Sequence, residues 1–245
     1  YDKANRLLSE ISNKTGSSVT KTYPYDDNGN LLKVYENETE KETYTYDAFG
    51  KLISYVINNT TTVYTYRPDG MLYTKQTGTN ATAKQTYICS DGQIVYEQTG
   101  TDNIGATVYT YGLTRISAKE RTSSSLTSAQ AVIHFYRYNA HGDVVRLVST
   151  SGTSIKVYEY DAFGNEKNVI PGDTNPFRYC GEYYDTATQK YFLRARWYDP
   201  ATGRFTQQDS WSYYDPNDPP RHDVALLNDR MRITAITDVY EPGST

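Results

Sequence analysis

Tyrosine returns just before a turn at Tyr1, Tyr25, Tyr46, Tyr66, Tyr87, Tyr111, Tyr138 and Tyr160, at intervals of 20 to 27 residues. A unit of that length cannot bury its own apolar face, so a chain made of such units must stack them into one structure. Most units read Tyr-x-Tyr-Asp, then two or three turn residues ending in Gly, then a short run containing Leu, Val or Ile. Tyr44-Thr-Tyr-Asp-Ala-Phe-Gly-Lys-Leu52 and Tyr158-Glu-Tyr-Asp-Ala-Phe-Gly-Asn165 are the clearest copies. Tyr23-Pro-Tyr-Asp-Asp-Asn-Gly-Asn-Leu31 and Tyr64-Thr-Tyr-Arg-Pro-Asp-Gly-Met-Leu72 follow the same plan.

Tyrosines at i and i+2 share one face of a strand, while the residue between them points the other way. An aspartate then opens a turn by hydrogen-bonding nearby backbone, and glycine supplies the positive φ that closes it. The arm that follows, such as Leu52-Ile-Ser-Tyr-Val-Ile57, returns beside the first. A lone hairpin is marginal in water, so the expected fold is all-β: stacked or spiralling antiparallel hairpins forming part of a β-shell, with almost no helix before residue 210. The residues expected to build it are Tyr25, Asp26 and Gly29; Tyr46, Asp47 and Gly50; Tyr66 and Gly70; Tyr138 and Gly142; Tyr160, Asp161 and Gly164. Tyr184, Asp185, Tyr198, Asp199 and Gly203 extend the pattern. Exposed rows of such rings would bind sugars or stack single-stranded bases. Rings recurring at the structural period itself fit better as the lining of a hairpin interface or the inner wall of a sheet.

Composition narrows the functions. There are 26 Tyr against 6 Phe, 2 Trp and 2 Met, and the formal charge is −4. No excess of Lys or Arg is present to neutralise phosphates, so nucleic acid is not an expected partner. No apolar run is long enough for a membrane-spanning helix. The chain starts at Tyr1 with neither an initiator Met nor a leader pattern, and reads as a piece of something longer. Cys89 and Cys180 are expected as two unpaired thiols, although they could pair in an oxidising compartment. His134, His141 and His222 have no Cys or His at ligand spacing, so no metal and no cofactor are expected. A nucleophile elbow of the Gly-x-Ser-x-Gly type and a phosphate-binding Gly loop with Lys are both missing. The paired carboxylates Asp26 and Asp27 fall in a turn.

These units resemble the Tyr-Asp (YD) repeats of the RHS-repeat family. The segment Asn175-Pro-Phe-Arg-Tyr-Cys-Gly-Glu-Tyr-Tyr-Asp185, with Tyr191-Phe-Leu-Arg-Ala-Arg-Trp-Tyr-Asp-Pro-Ala-Thr-Gly-Arg-Phe205 and Asp209, closely resembles the RHS-associated core. That core closes the repeat region in bacterial polymorphic toxins, wall-associated proteins and the C components of insecticidal toxin complexes. The resemblance covers roughly residues 1–215. It implies a hollow shell holding a C-terminal toxic polypeptide in cis, capped by the core, in a secreted or cell-surface bacterial protein. The division it suggests is a hairpin array over 1–170, a core-like cap over 171–215 and a divergent tail over 216–245.

In several family members the core is an aspartyl-type autoprotease. The matching positions are Arg196 and Asp209, but the Asn-Leu-Tyr and Asn-Asn-Pro stretch that carries the second aspartate is missing. Aspartyl proteolysis needs two carboxylates sharing one proton. A single aspartate beside an arginine makes an ion pair instead, so Arg196 and Asp209 read as the remnant of an incomplete site. Asp229 and Asp238 are the nearest substitutes, and neither sits in the family's motif. Residues 122–128 are Ser-rich and fit a solvent loop or hairpin tip. In the tail, Val224, Leu227 and Met231 share a helical face with Asp223 as N-cap, so a short helix is expected over 224–232. Truncation or a disrupted reading frame best explains that tail, with a cargo start or an alternative ending as the other readings. The expected role is a non-catalytic shell segment. A surface adhesion module that binds glycan is the alternative, and a working autoprotease the third reading.

Overall fold

The computed structural model describes residues 1–14, 17–100, 105–121 and 131–209. The expected helix over 224–232, Asp229, Asp238 and the 122–128 stretch lie outside the described residues.

Fourteen strands make one sheet. It opens with β1 (Ser9–Lys14), β2 (Ser17–Thr22), β3 (Lys33–Glu36), β4 (Thr39–Tyr46) and β5 (Leu52–Ile57). It continues through β6 (Thr60–Tyr66), β7 (Leu72–Thr77), β8 (Gln85–Ser90), β9 (Gln93–Thr99) and β10 (Ala106–Tyr111). β11 (Arg115–Arg121), β12 (Val132–Tyr138), β13 (Val144–Val148) and β14 (Ser154–Val157) complete it. Each strand pairs antiparallel with the next in chain order, the topology of stacked hairpins. A second, four-stranded sheet follows: β15 (Tyr183–Asp185), β16 (Lys190–Leu193), β17 (Arg196–Asp199) and β18 (Arg204–Phe205). Among the described residues the helical content is two three-residue 3-10 turns, Ala81–Ala83 and Tyr179–Gly181.

One hairpin explains the rest. Tyr44 on β4 faces Tyr55 on β5, and the register slips by a residue between Thr45 and Tyr46, so that Tyr46 pairs with Leu52. Asp47 Oδ1 accepts the Phe49 and Lys51 N–H groups across the turn, and Gly50 closes it at φ +73°. The same slip precedes Tyr66, Tyr111 and Tyr138. The bulge divides labour between the two tyrosines. The first of each pair is buried: Tyr23, Tyr44, Tyr64, Tyr109, Tyr136 and Tyr158. The second is half-buried and donates its hydroxyl to backbone, in the preceding unit for Tyr25, Tyr66, Tyr111, Tyr138 and Tyr160, and at Thr206 O of the cap for Tyr46. Tyr66 bonds Leu52 O at 2.7 Å, Tyr138 bonds Arg115 O at 2.8 Å and Tyr160 bonds Val144 O at 2.9 Å.

This register corrects one position of the repeat. Tyr87 is a first tyrosine, 1% exposed, and the second place in its unit belongs to Cys89. The bulge falls between Ile88 and Cys89, Cys89 pairs with Ile94, and its thiol points at Leu72 O, 3.7 Å away. Counting tyrosines alone misplaces that unit because a thiol stands where the others have a phenol. Cys89 and Cys180 are both free thiols.

Laid flat, fourteen strands would span about 60 Å, and a four-stranded sheet about 15 Å. Yet the smaller sheet and its flanks reach the whole array. Arg204 donates to Asn5 O ahead of β1 at 2.9 Å, and Lys156 on β14 pairs with Asp173. The array therefore curves around residues 173–207, which fill its concave face as a cap. The right-handed twist of antiparallel strands and the recurrent bulges supply that curvature.

Candidate functional site

The concave face is lined by the first tyrosines and by the aliphatic that follows each turn: Leu7, Leu31, Leu52, Leu72, Ile94 and Val144, all at most 7% exposed. The cap meets this lining ring against ring. Tyr64 packs on Trp197 at 5.1 Å, Tyr87 edge-on to Tyr183 at 5.6 Å and Tyr109 edge-on to Phe177 at 4.8 Å. Each such ring contributes about 2–3 kcal/mol relative to exposure. The phenol hydroxyls then read the cap's polar groups. Tyr64 donates to Asp185 Oδ2 at 2.5 Å, Tyr136 to Asn175 Oδ1 at 2.9 Å and Tyr158 to Asp173 Oδ2 at 2.8 Å. Burial raises the pKa of each of these hydroxyls.

Three buried charges fix the register of cap on wall. Lys75 pairs with the fully buried Asp185 at 2.5 Å. Lys190 lies 3.4 Å from Glu42 and 3.5 Å from Asp199. Burial pulls the Lys190 pKa down, but the Asp199 and Glu42 charges outweigh it and hold the ammonium above its ordinary value. Arg115 stands in the slot that other units fill with an aliphatic. Its guanidinium lies 3.0 Å from the centre of the Phe177 ring and donates to Gly181 O at 3.1 Å. None of these three cations was marked by the repeat. Arg115 had the clearest signal, a charge at the place of Leu52 and Val144.

The predicted repeat residues fall into the two roles described. Tyr25, Tyr46, Tyr66, Tyr138 and Tyr160 are second-place, half-buried rings packed against the core. Asp26 and Asp161 accept turn N–H groups as Asp47 does. Gly29, Gly70, Gly142, Gly164 and Gly203 hold positive φ. In the cap, Tyr184 and Tyr198 pack with tilted rings against Tyr191, and Asp185 and Asp199 accept the Ala187 and Ala201 N–H groups while also meeting the buried lysines.

Arg196 opens β17, and Asp209 follows β18. Arg196 Nη2 lies 2.8 Å from Asp209 Oδ2, and the guanidinium covers the Phe205 ring at 3.8 Å. The structure thus joins the two residues taken from the autoprotease motif. Asp209 is 45% exposed and Arg196 19%. Such an arrangement holds a carboxylate by charge; it does not by itself make the proton-sharing pair that peptide hydrolysis takes.

A curved antiparallel array of bulged hairpins is the architecture of part of a β-shell. The RHS Repeat family model matches residues 25–62. The chain is 33% identical over 195 residues to the tRNA3(Ser)-specific nuclease WapA of Bacillus spizizenii, and 31% identical over 193 residues to the tRNA nuclease WapA of Bacillus subtilis. Each match takes in 77% of this chain, which spans only 7% of those relatives' length. The Tc holotoxin pore of Photorhabdus luminescens shares the fold, with a TM-score of 0.57 over 80% of this chain and 12% of that one, at 17% identity. Residues 25–62 thus carry the RHS repeat, and the hairpins that follow repeat the same bulged plan.

Proposed function

We propose that this segment is wall and cap of an enclosing shell, with the array over 1–170, the cap over 171–215 and a divergent tail over 216–245. In its parent protein, secreted or on the bacterial surface, the shell holds a C-terminal toxin or effector polypeptide in cis. The observation that carries the reading is the direction of the tyrosines. From Tyr23 to Tyr158 the first rings are buried on one face, the face an enclosing wall must seal. A glycan-binding module needs those rings coplanar and exposed, so the adhesion reading loses its surface. The segment itself is proposed to be non-catalytic, with Arg196 and Asp209 tying the end of the cap together by charge. No helix among the described residues is long and apolar enough to cross a membrane.

Protease digestion of the parent protein tests enclosure. The C-terminal polypeptide should survive while the wall is folded and be digested once the wall is unfolded. Digestion at the rate of the isolated polypeptide would refute the proposal. Intact mass tests the catalytic part: one uncleaved species, the same in Asp209→Asn, is expected. Cleavage abolished by that substitution would restore the autoprotease.

A further inference from the structure

The turn between β12 and β13 departs from its counterparts at two neighbouring places. In the turns opened by Asp26 and Asp161, an asparagine sits four residues on and its Nδ2 donates to the aspartate Oδ2 at 2.8 Å. Here the order is reversed. Asn139 opens the turn, Asp143 sits four residues on, and Asn139 Nδ2 donates to Asp143 Oδ2 at 2.7 Å. The exchange moves the carboxylate to the cap side, where Asp143 Oδ1 accepts the Cys180 N–H at 2.9 Å. The second departure is His141, which stands where the turns after Tyr46 and Tyr160 carry Phe49 and Phe163. Its Nδ1 lies 2.9 Å from Asp143 Oδ1.

A carboxylate oxygen, an imidazole nitrogen and the Cys180 sulfur thereby converge, all within 4.8 Å of one another. They come from two parts of the chain, the array and the 3-10 turn Tyr179–Gly181 of the cap. We propose that His141, Asp143 and Cys180 bind a divalent cation of the zinc class, which staples the cap to the wall.

The donor set fits that ion. Zinc takes nitrogen, oxygen and sulfur at about 2.0–2.3 Å, and three protein ligands leave a fourth place for water. Tetrahedral ligands around it stand about 3.3–3.8 Å apart, so closure of about an ångström completes the site. Asp143 and Cys180 are buried, while the His141 side chain is 46% exposed and opens the entry path. Burial, followed by the Asp143 and Glu182 carboxylates, holds the Cys180 thiol in its protonated form. As the zinc–sulfur bond forms, the thiol proton leaves to solvent, and the carboxylates that oppose a thiolate favour the dication. Glu182 stays engaged with Arg194 at 3.1 Å and Asn139 holds Asp143, so both carboxylates keep their orientation. Spacing along the sequence could not reveal the cluster, since Cys180 and Asp143 are 37 residues apart.

The test is equilibrium dialysis of the full 245-residue chain against zinc chloride, with cobalt chloride as the spectroscopic probe. The repeat itself supplies variants that should fold: His141→Phe copies Phe49 and Phe163, and Asn139→Asp with Asp143→Asn restores the ordinary order. Cys180→Ser removes the sulfur at nearly constant volume. Expected are one zinc per chain and a sulfur-to-cobalt charge-transfer band. The band should vanish in Cys180→Ser, and affinity should fall roughly 10- to 100-fold in the other variants. No zinc bound to the folded chain would overturn the proposal. So would a cobalt spectrum without the band, or affinity unchanged in the variants.

Discussion

Gly164 lies at φ +93°, and a Cβ added there would meet Tyr179 Cδ1 at 2.6 Å and Cγ at 2.7 Å. Gly152 has a similar φ of +81° with nothing within 4 Å. Gly152→Ala should therefore cost about 1 kcal/mol for its backbone alone. Gly164→Ala should cost about 2–4 kcal/mol, because ring and cap must also move. Urea unfolding of both variants measures the difference, and equal losses would mean that the cap does not press on this turn. Glu97 gives a second residue-scale expectation. Its carboxyl accepts the Tyr109 hydroxyl at 2.5 Å, and burial raises its pKa from 4.5 to about 7. Between those values the native state keeps a proton that the unfolded chain has released, so this group's contribution to stability falls as pH rises through the window. Glu97→Gln should be nearly neutral at pH 4.5 and stabilising, by about 1–3 kcal/mol, above pH 7. A variant-minus-wild-type difference that does not change with pH would remove Glu97 from that role.

Lys75 and Asp185 join strand β7 of the wall to strand β15 of the cap. They are 6% and 0% exposed, so loss of either partner strands a charge in the interior. Lys75→Met or Asp185→Leu should each cost about 3–5 kcal/mol, and the two combined clearly less than the sum. A double-mutant cycle in urea checks this, and additive losses would show that the two do not act as a pair. The same pair shows where sequence reading stopped. Tyr-x-Tyr-Asp followed by Gly is local turn chemistry, so hairpins such as Tyr44–Ile57 and their chain-order stacking were legible from the residues alone. The bulge between Ile88 and Cys89 was not, because it shows only when strands are set side by side. Lys75 and Asp185 are 110 residues apart, and no local pattern connects them. Arg196 and Asp209 were found through a resemblance, whereas the charged latches Lys190, Glu42 and Arg115 follow from how the wall bends.

At the scale of the whole molecule, a wall is defined by what its inner face touches. The chain devotes its first tyrosines, from Tyr23 on β3's leading turn to Tyr158 after β14, to one side of the sheet, and spends the cap's Phe177, Tyr183, Phe192 and Trp197 on sealing it. Singly exposed rings such as Tyr1 and Tyr73, at 70% and 48%, lie outside that lining. The most direct measurement is tetranitromethane nitration of the native chain, mapped by mass spectrometry. With the wall facing inward, Tyr1 and Tyr73 are modified quickly, while Tyr44, Tyr55, Tyr64, Tyr87, Tyr109, Tyr136, Tyr158, Tyr183 and Tyr191 react only after unfolding. Nitration of Tyr64, Tyr87 and Tyr109 at the rate of Tyr73 would contradict an inward wall and return the tyrosine rows to the surface.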